Sequence, residues 1–431
     1  MGSNGGALVA PPKRRSLRRR ILLQLALLPL ELLAVELGFR GWLRLQGEPY
    51  AVWRAEEEIR LALSRATERA PGADLPRTPE VLHPYYGFEV GSLLDEPAER
   101  AEYYRSPEAR RAYDVMILGG SVAATFAALG AADLAHRLEA DPRLAGRPVR
   151  IHANGRGSFK QPQQATVLAF HLASGSEPDA VIDLDGFNEL AVASENALYR
   201  AHPLFPSLPQ WGSLASGLRD TPERLELVAR SRRNRESAAS LASTVLRWRL
   251  HASAVIGTLA ISRLQERLVE THAAAQEYLL SIAAAGPDAV ARGPSFDPAD
   301  DAVLDVAVRA WSEGSRSIHG MCAVRGIFHL HVLQPALDDA GSKPLTAQEI
   351  ERGAAPPVWT SAVRRGYPLL REAGRRLAAS GIPFFDASRV FSACADDLYL
   401  DSCHFNERGN RILAAAIADA FLAALPADVV K

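Results

Sequence analysis

Four short blocks of the chain hold residue types that could carry acyl-transfer chemistry. They are "GGSVA" (119–123), "NGRGSFKQ" (154–161), "DGFNE" (185–189) and "DLYLDSCHFNERGN" (397–410). Ser121 offers a hydroxyl, a weak nucleophile at neutral pH that needs a base beside it. His404 suits that task, because an imidazole with an unperturbed pKa of about 6.5 takes up a proton near neutrality. Asp401, three residues earlier, can hold the imidazole in the useful tautomer and stabilise the imidazolium. The tetrahedral intermediate of acyl transfer then needs fixed donors for its oxyanion. The backbone amides of Ser121 and Gly157 and the side-chain amide of Asn188 would supply three, with Gly155 a second candidate for the glycine. Each block alone is a weak signal, since glycine–serine turns are common and Asn188 or an aspartate can simply cap a helix. Weight comes from the four occurring in order on elements that converge.

Those elements are legible in outline. The chain has 431 residues, 48% of them hydrophobic, enough for a substantial core. Short apolar runs without polar alternation, "YDVMILGG", "RPVRIHA", "DAVIDLDG", "GIFHLHVLQP" and "IPFFDAS", read as strands buried on both faces. Helical patterns separate the first three ("AATFAALGAADLAHRLEA" and "QATVLAFHLAS"), and "GNRILAAAIADAFLAAL" closes the chain. Strand alternating with helix predicts an α/β fold, a three-layer α/β/α sandwich on a mainly parallel sheet. In such sheets ligands bind beyond the C-terminal strand ends, where Ser121, the glycines, Asn188 and the Asp401/His404 pair would all fall. His329 and His331 lie on a buried strand and read as core or supporting residues; His136 and His171 read as helical.

Between residues 198 and 316 the alternation stops. Leucine and charge recur there at helical spacing in two long stretches, 221–250 and 259–285, read as a helical insertion, with a coiled-coil partner surface as the alternative. The expected organisation is therefore a basic N-terminus and anchor helix (1–45), a helical stretch and linker (46–82, with "APGADLPRTP" at 70–79 the linker), the two parts of the α/β domain (83–197 and 317–431), and the insertion (198–316).

The net charge of −1 gives no overall pull toward nucleic acid. "KRRSLRRR" (13–20) concentrates six positive charges but runs directly into the apolar stretch 21–39. Those nineteen residues would span about 28 Å as a helix, near the thickness of a bilayer core. The basic flank orients the bulk of the chain across the membrane, so a single signal anchor with an extracytoplasmic domain is expected. Gln24, Glu31 and Glu36 are its weak points, and an amphipathic surface helix is the alternative. Three cysteines fit neither a disulfide scaffold nor a zinc site; Cys394 and Cys403 could pair across a short loop or stay as thiols.

Taken together, "ILGGSVA", "NGRGSF", "DGFNE" and "DSCH" resemble the four blocks of the SGNH (GDSL-like) hydrolase family, over roughly 83–194 and 317–425. The resemblance implies a flavodoxin-like sheet, Ser121 as nucleophile, Gly157 and Asn188 with Ser121 as oxyanion donors, Asp401 and His404 as partners, and no cofactor or metal. Two departures stand out. Gly-Asp-Ser becomes Gly119-Gly120-Ser121, and Gly-x-Asn-Asp becomes Gly186-Phe187-Asn188-Glu189. No nucleotide-binding glycine motif occurs, and the G-x-S-x-G of α/β-hydrolases fails at Ala123. The expected function is a serine ester hydrolase working through an acyl-enzyme on an acylated carbohydrate or lipid at a membrane. The alternatives are an O-acyltransferase of cell-envelope polysaccharide using the same residues, or a catalytically silent scaffold subunit. Protein partners stay open.

Overall fold

The structure, a computed structural model, describes residues 17–67, 80–90, 96–144, 146–215, 221–284, 293–294, 296 and 302–426. The linker read at 70–79 lies outside them. The chain divides into two compact units, one of Met1–Glu68 with Asn234–Glu270 and one of Arg69–Arg233 with Thr271–Lys431.

The larger unit is mixed α/β. An antiparallel hairpin of β1 (Glu80–His83) and β2 (Gly87–Val90) comes first. A parallel sheet follows, made of β3 (Tyr113–Gly119), β4 (Val149–Gly155), β5 (Ala180–Asp185), β6 (Phe328–Leu333) and β7 (Phe384–Asp386), in the order β4-β3-β5-β6-β7. All five coincide with the apolar runs of the sequence. Successive residues of β3 pack to opposite sides, as strand geometry requires. Val115 and Ile117 join Phe126, Leu134 and Phe421, while Met116 and Leu118 join Phe88, Phe159, Leu168 and Ile318. A strand buried on both faces must be apolar throughout, which is why "VMIL" shows no alternation.

Two local readings need correction. The stretch 123–140 is two helices, Ser121–Leu129 and Ala131–Glu139, because Gly130 breaks it. A side chain at 130 would meet the Phe126 ring at 2.8 Å and the Asn410 carbonyl at 3.0 Å. Helix Ala302–Ala323 begins within the segment read as insertion, yet it packs against helices Gln163–Ala173, Phe187–Leu198 and Pro357–Ala379 and against β6.

The smaller unit is helical. Helices Leu17–Leu45 and Val52–Thr67 are joined there by the parts of Pro222–Arg247 and Ala254–Ala284 that fall within 234–270. Small residues (Ala62, Ala66, Ala238, Ala242, Ala260) let these helices close around Ile59, Val245 and Leu264. Glu36 caps helix Ala254–Ala284: its carboxylate accepts from Ser253 Oγ at 2.7 Å and from the Ala254 amide at 2.6 Å. Those donors have no partner inside their own helix. Arg40 completes the joint, bonded to Glu36 and the Ala252 carbonyl, both at 2.7 Å. The stretch 21–39 expected to span a membrane is thus part of helix Leu17–Leu45, with Pro29 inside it and Glu36 engaged by protein. Among the described residues no helix is long and apolar enough to cross a membrane.

Candidate active site

Ser121 opens helix Ser121–Leu129 directly beyond β3, with Gly120 as its N-cap. Its own amide belongs to the first turn, whose N–H groups lack acceptors within the helix and carry the positive end of the dipole. Both preceding glycines sit in close quarters. Gly119 has φ of +142°, and a side chain there would come within 2.1 Å of the Leu184 carbonyl. At Gly120 a Cβ would lie 2.3 Å from Asn188 Nδ2. A side chain at 120 would therefore have to displace the Asn188 amide.

Asn188 follows β5 on the first turn of helix Phe187–Leu198, reached through Gly186 at φ +124°. Its Nδ2 donates to the Phe159 carbonyl at 2.8 Å, which leaves a second N–H on the same nitrogen. Gly155 and Gly157 have different roles. Gly155 ends β4, and a Cβ there would strike the Ala124 amide nitrogen at 2.4 Å and the Gly120 carbonyl at 2.8 Å, so it allows close passage past the Ser121 helix. Gly157 lies in the loop beyond, which the Arg156 amide ties to the Gly119 carbonyl at 3.1 Å. Ser158 next to it takes φ +57°, a left-handed conformation costly for a residue with a side chain.

The C-terminal block closes the set. Asp401 Oδ1 accepts the backbone amides of Cys403 (2.9 Å) and His404 (2.8 Å), forming a tight turn. Its Oδ2 lies 2.7 Å from His404 Nδ1, and His404 Nε2 lies 2.8 Å from Ser121 Oγ, across 283 positions of sequence. Asn406, two residues on, caps the final helix Glu407–Ala424 by accepting from the Gly409 amide at 2.9 Å. Ser121, Asn188, Asp401 and His404 are all partly exposed, so a ligand can reach them. Burial alone would push the His404 imidazolium down, but the charge and hydrogen bond of Asp401, with help from Cys403, hold its pKa well above the usual value. For Asp401, burial is outweighed by the His404 charge and the hydrogen bonds it accepts, which keep its carboxyl well below the ordinary range. This is the electrostatic arrangement of a base backed by an anion.

All three cysteines are free thiols. Cys403 is buried with Sγ 3.7 Å from His404 Nδ1, and burial pushes its thiol up. Among the described residues two groups of metal-capable donors have their ligand atoms within 4.8 Å of one another, Asp401/Cys403/His404 and Asp183/Asp185/His331. The first holds the Ser121 partner pair; in the second Asp185 Oδ1 takes His331 Nε2 at 2.9 Å and Trp311 Nε1 at 2.6 Å, and Asp183 Oδ2 accepts from Gln161 Nε2 at 3.1 Å.

Compared with known proteins, the chain matches no family model and no curated protein. Its chemistry has to be read from its own residues.

Sequence reasoning missed Glu189. This fully buried carboxylate joins the two loops that carry Gly157 and Asn188. Oε1 accepts the Gln161 amide (3.2 Å) and Gln164 Nε2 (3.0 Å), while Oε2 accepts the Gly186 amide (2.8 Å). Burial and the Asp185 charge push its carboxyl up to about 8, against its own amide, the Gly186 amide and the Gln164 side chain, which favour the ionised form. Glutamate three residues after a helix cap was the available signal, and the second loop could not be foreseen from it. Glu189→Ala leaves three buried donors without an acceptor. The expected loss is on the order of 3 kcal/mol of stability, read from the urea midpoint, with a fall in turnover in the folded fraction. Glu189→Gln, which keeps one acceptor oxygen, should fall between.

Asn188→Ala is expected to cost ~10²–10³ in kcat with little change in KM, if its free N–H meets the oxyanion. An unchanged kcat for p-nitrophenyl acetate would assign Asn188 to holding the Phe159 loop alone.

Proposed function

We propose that the protein is a serine acyl hydrolase of SGNH type, with a flavodoxin-like three-layer fold, acting through an acyl-enzyme on Ser121. One observation carries this reading: His404 Nε2 stands 2.8 Å from Ser121 Oγ, with Asp401 bonded to the opposite ring nitrogen. The strand order β4-β3-β5-β6-β7 and the siting of Ser121, Gly157 and Asn188 beyond β3, β4 and β5 support it.

In the forward step His404 takes the Ser121 proton as Oγ bonds to the ester carbonyl carbon. The Ser121 and Gly157 amides and Asn188 receive the oxyanion. The imidazolium then protonates the departing alkoxide, leaving the Ser121 ester. Water, deprotonated by the same nitrogen, attacks that ester, and the proton returns to Ser121 as the acid leaves.

A cavity of about 510 Å³ lies beside Gly155 and Gly157, lined by Glu80, His152, Arg156 and the apolar Phe88 and Ile151 among others, and it offers room for an acyl carrier next to that loop. The basic run 13–20 and the apolar stretch after it support a reaction at a membrane surface. The test is Ser121-dependent turnover of p-nitrophenyl acetate by the full chain. A folded protein whose turnover matches that of Ser121→Ala would overturn the reading.

A further inference from the structure

The helical unit has an unusual surface. From Leu27 to Leu37 the exposed leucines and a valine are between 42% and 63% accessible. At 3.6 residues per turn these positions cover every side of the helix except the stripe that carries Glu36 and Arg40 toward Ala252–Ala254. A protein partner covers one stripe of a helix; a solvent of acyl chains can surround it. Glu36 does not spoil this, because its carboxylate is spent on Ser253 and the start of helix Ala254–Ala284.

Beside this stretch two turns meet, the one after helix Leu17–Leu45 and the one before helix Ala254–Ala284. Tyr50 Oη donates to the His251 carbonyl at 2.6 Å, and Arg40 reaches the Ala252 carbonyl at 2.7 Å. Gly257 permits the approach, since a Cβ there would lie 1.8 Å from Tyr50 Oη. Around this joint Trp42 (52%), Trp53 (57%) and Trp248 (66%) are exposed, although tryptophan is a residue that folding normally hides. Arginines accompany them: Arg54 lies 5.3 Å from the Trp53 ring and Arg247 5.7 Å from the Trp248 ring, with Arg44 and Arg249 exposed nearby. Exposed indole with arginine, next to a helix apolar over most of its circumference, is the composition of a bilayer's headgroup boundary.

We infer that this unit is a lipid-contacting surface in which acyl chains receive the segment Leu27–Leu37 and anionic headgroups receive the Trp42/Trp53/Trp248 rim, so that the insertion touches the bilayer as well as the N-terminal helix. Glu31, exposed within the apolar segment, would reach for the headgroups in this arrangement, since a charge at the bilayer centre is costly. The inference deepens the membrane location proposed above and is independent of the chemistry at Ser121.

The experiment mixes the full chain with phosphatidylcholine vesicles, with and without phosphatidylglycerol, and with brominated acyl chains to quench nearby tryptophan. The protein should pellet with vesicles, more with phosphatidylglycerol and less as salt is raised, and bromolipid should quench its fluorescence. Trp248→Phe and Trp53→Phe should each lose part of that quenching, with p-nitrophenyl acetate turnover unchanged. Protein left in the supernatant would overturn the inference. So would quenching that neither variant reduces, or a defined oligomer that hides these tryptophans without lipid. Turnover absent in vesicle-bound protein would count against the hydrolase reading and leave the lipid surface standing.

Discussion

Ser121→Ala should lower p-nitrophenyl acetate turnover by ~10⁶-fold, and His404→Ala should lower it about as far. The size follows from how the two residues share one act. Without Oγ there is no atom to acylate, and the imidazole 2.8 Å away has no proton to take. Without His404 the hydroxyl remains at its alcohol pKa and is a poor nucleophile. Because each loss removes the same step, the double variant should be no worse than either single one. Residual catalysis of ~10³ over water should persist in all three, supplied by the oxyanion donors and by binding. Unchanged circular dichroism and urea midpoints separate this result from unfolding. If the two losses multiplied in the double variant, Ser121 and His404 would be acting independently, and the acyl-enzyme scheme would fail.

Asp401→Asn should reduce kcat by ~10⁴ and also move the pH profile. The sign follows from the causes of the His404 shift. A general base works when neutral, so kcat/KM rises with pH through the pKa of the free enzyme's imidazole. Burial lowers that pKa, and Asp401's charge and hydrogen bond reverse this and hold it well above 6.5. The acid limb of the wild type should therefore lie above pH 6.5. In Asp401→Asn the charge is gone and burial is left, so the limb should move toward lower pH as the maximum rate falls. The substituted side chain would also present an amide N–H₂ toward Nδ1 and favour the wrong tautomer. A variant that loses rate with its limb unmoved would mean that Asp401 only braces the turn through the Cys403 and His404 amides, which it also bonds.

Much of this was legible along the chain because it is decided within a few residues. Five apolar runs became the five parallel strands, since a strand covered on both faces must be apolar at every position. The Asp401–His404 pair is equally local: an aspartate accepting amides two and three residues on draws the imidazole back to itself. Gly130 shows the limit, for high alanine content reads as one helix until the Phe126 ring and the Asn410 carbonyl claim the space. At Gly120 the sequence shows only a second glycine, and the close approach of Asn188 Nδ2, 2.3 Å from where a Cβ would stand, comes from a different strand end.

Glu36 differs most between its local sequence setting and its place in the fold. By sequence it is a charge in an apolar helix, a defect in an anchor; in the fold it caps a helix beginning 218 positions later. Glu189 likewise reads as a turn residue and proves to bind two loops through donors 25 and 28 positions away. What the sequence by itself determined is the set of strands, the residue types at their ends and the Asp–His turn, all governed by local periodicity and short hydrogen bonds. What only the tertiary structure decided is that Ser121 Oγ meets His404 Nε2, that Glu189 ties the two loops, and that Glu36 is satisfied by protein. Those contacts depend on the order in which strands pair and helices dock, and buried polar groups find partners wherever that order brings a donor within reach.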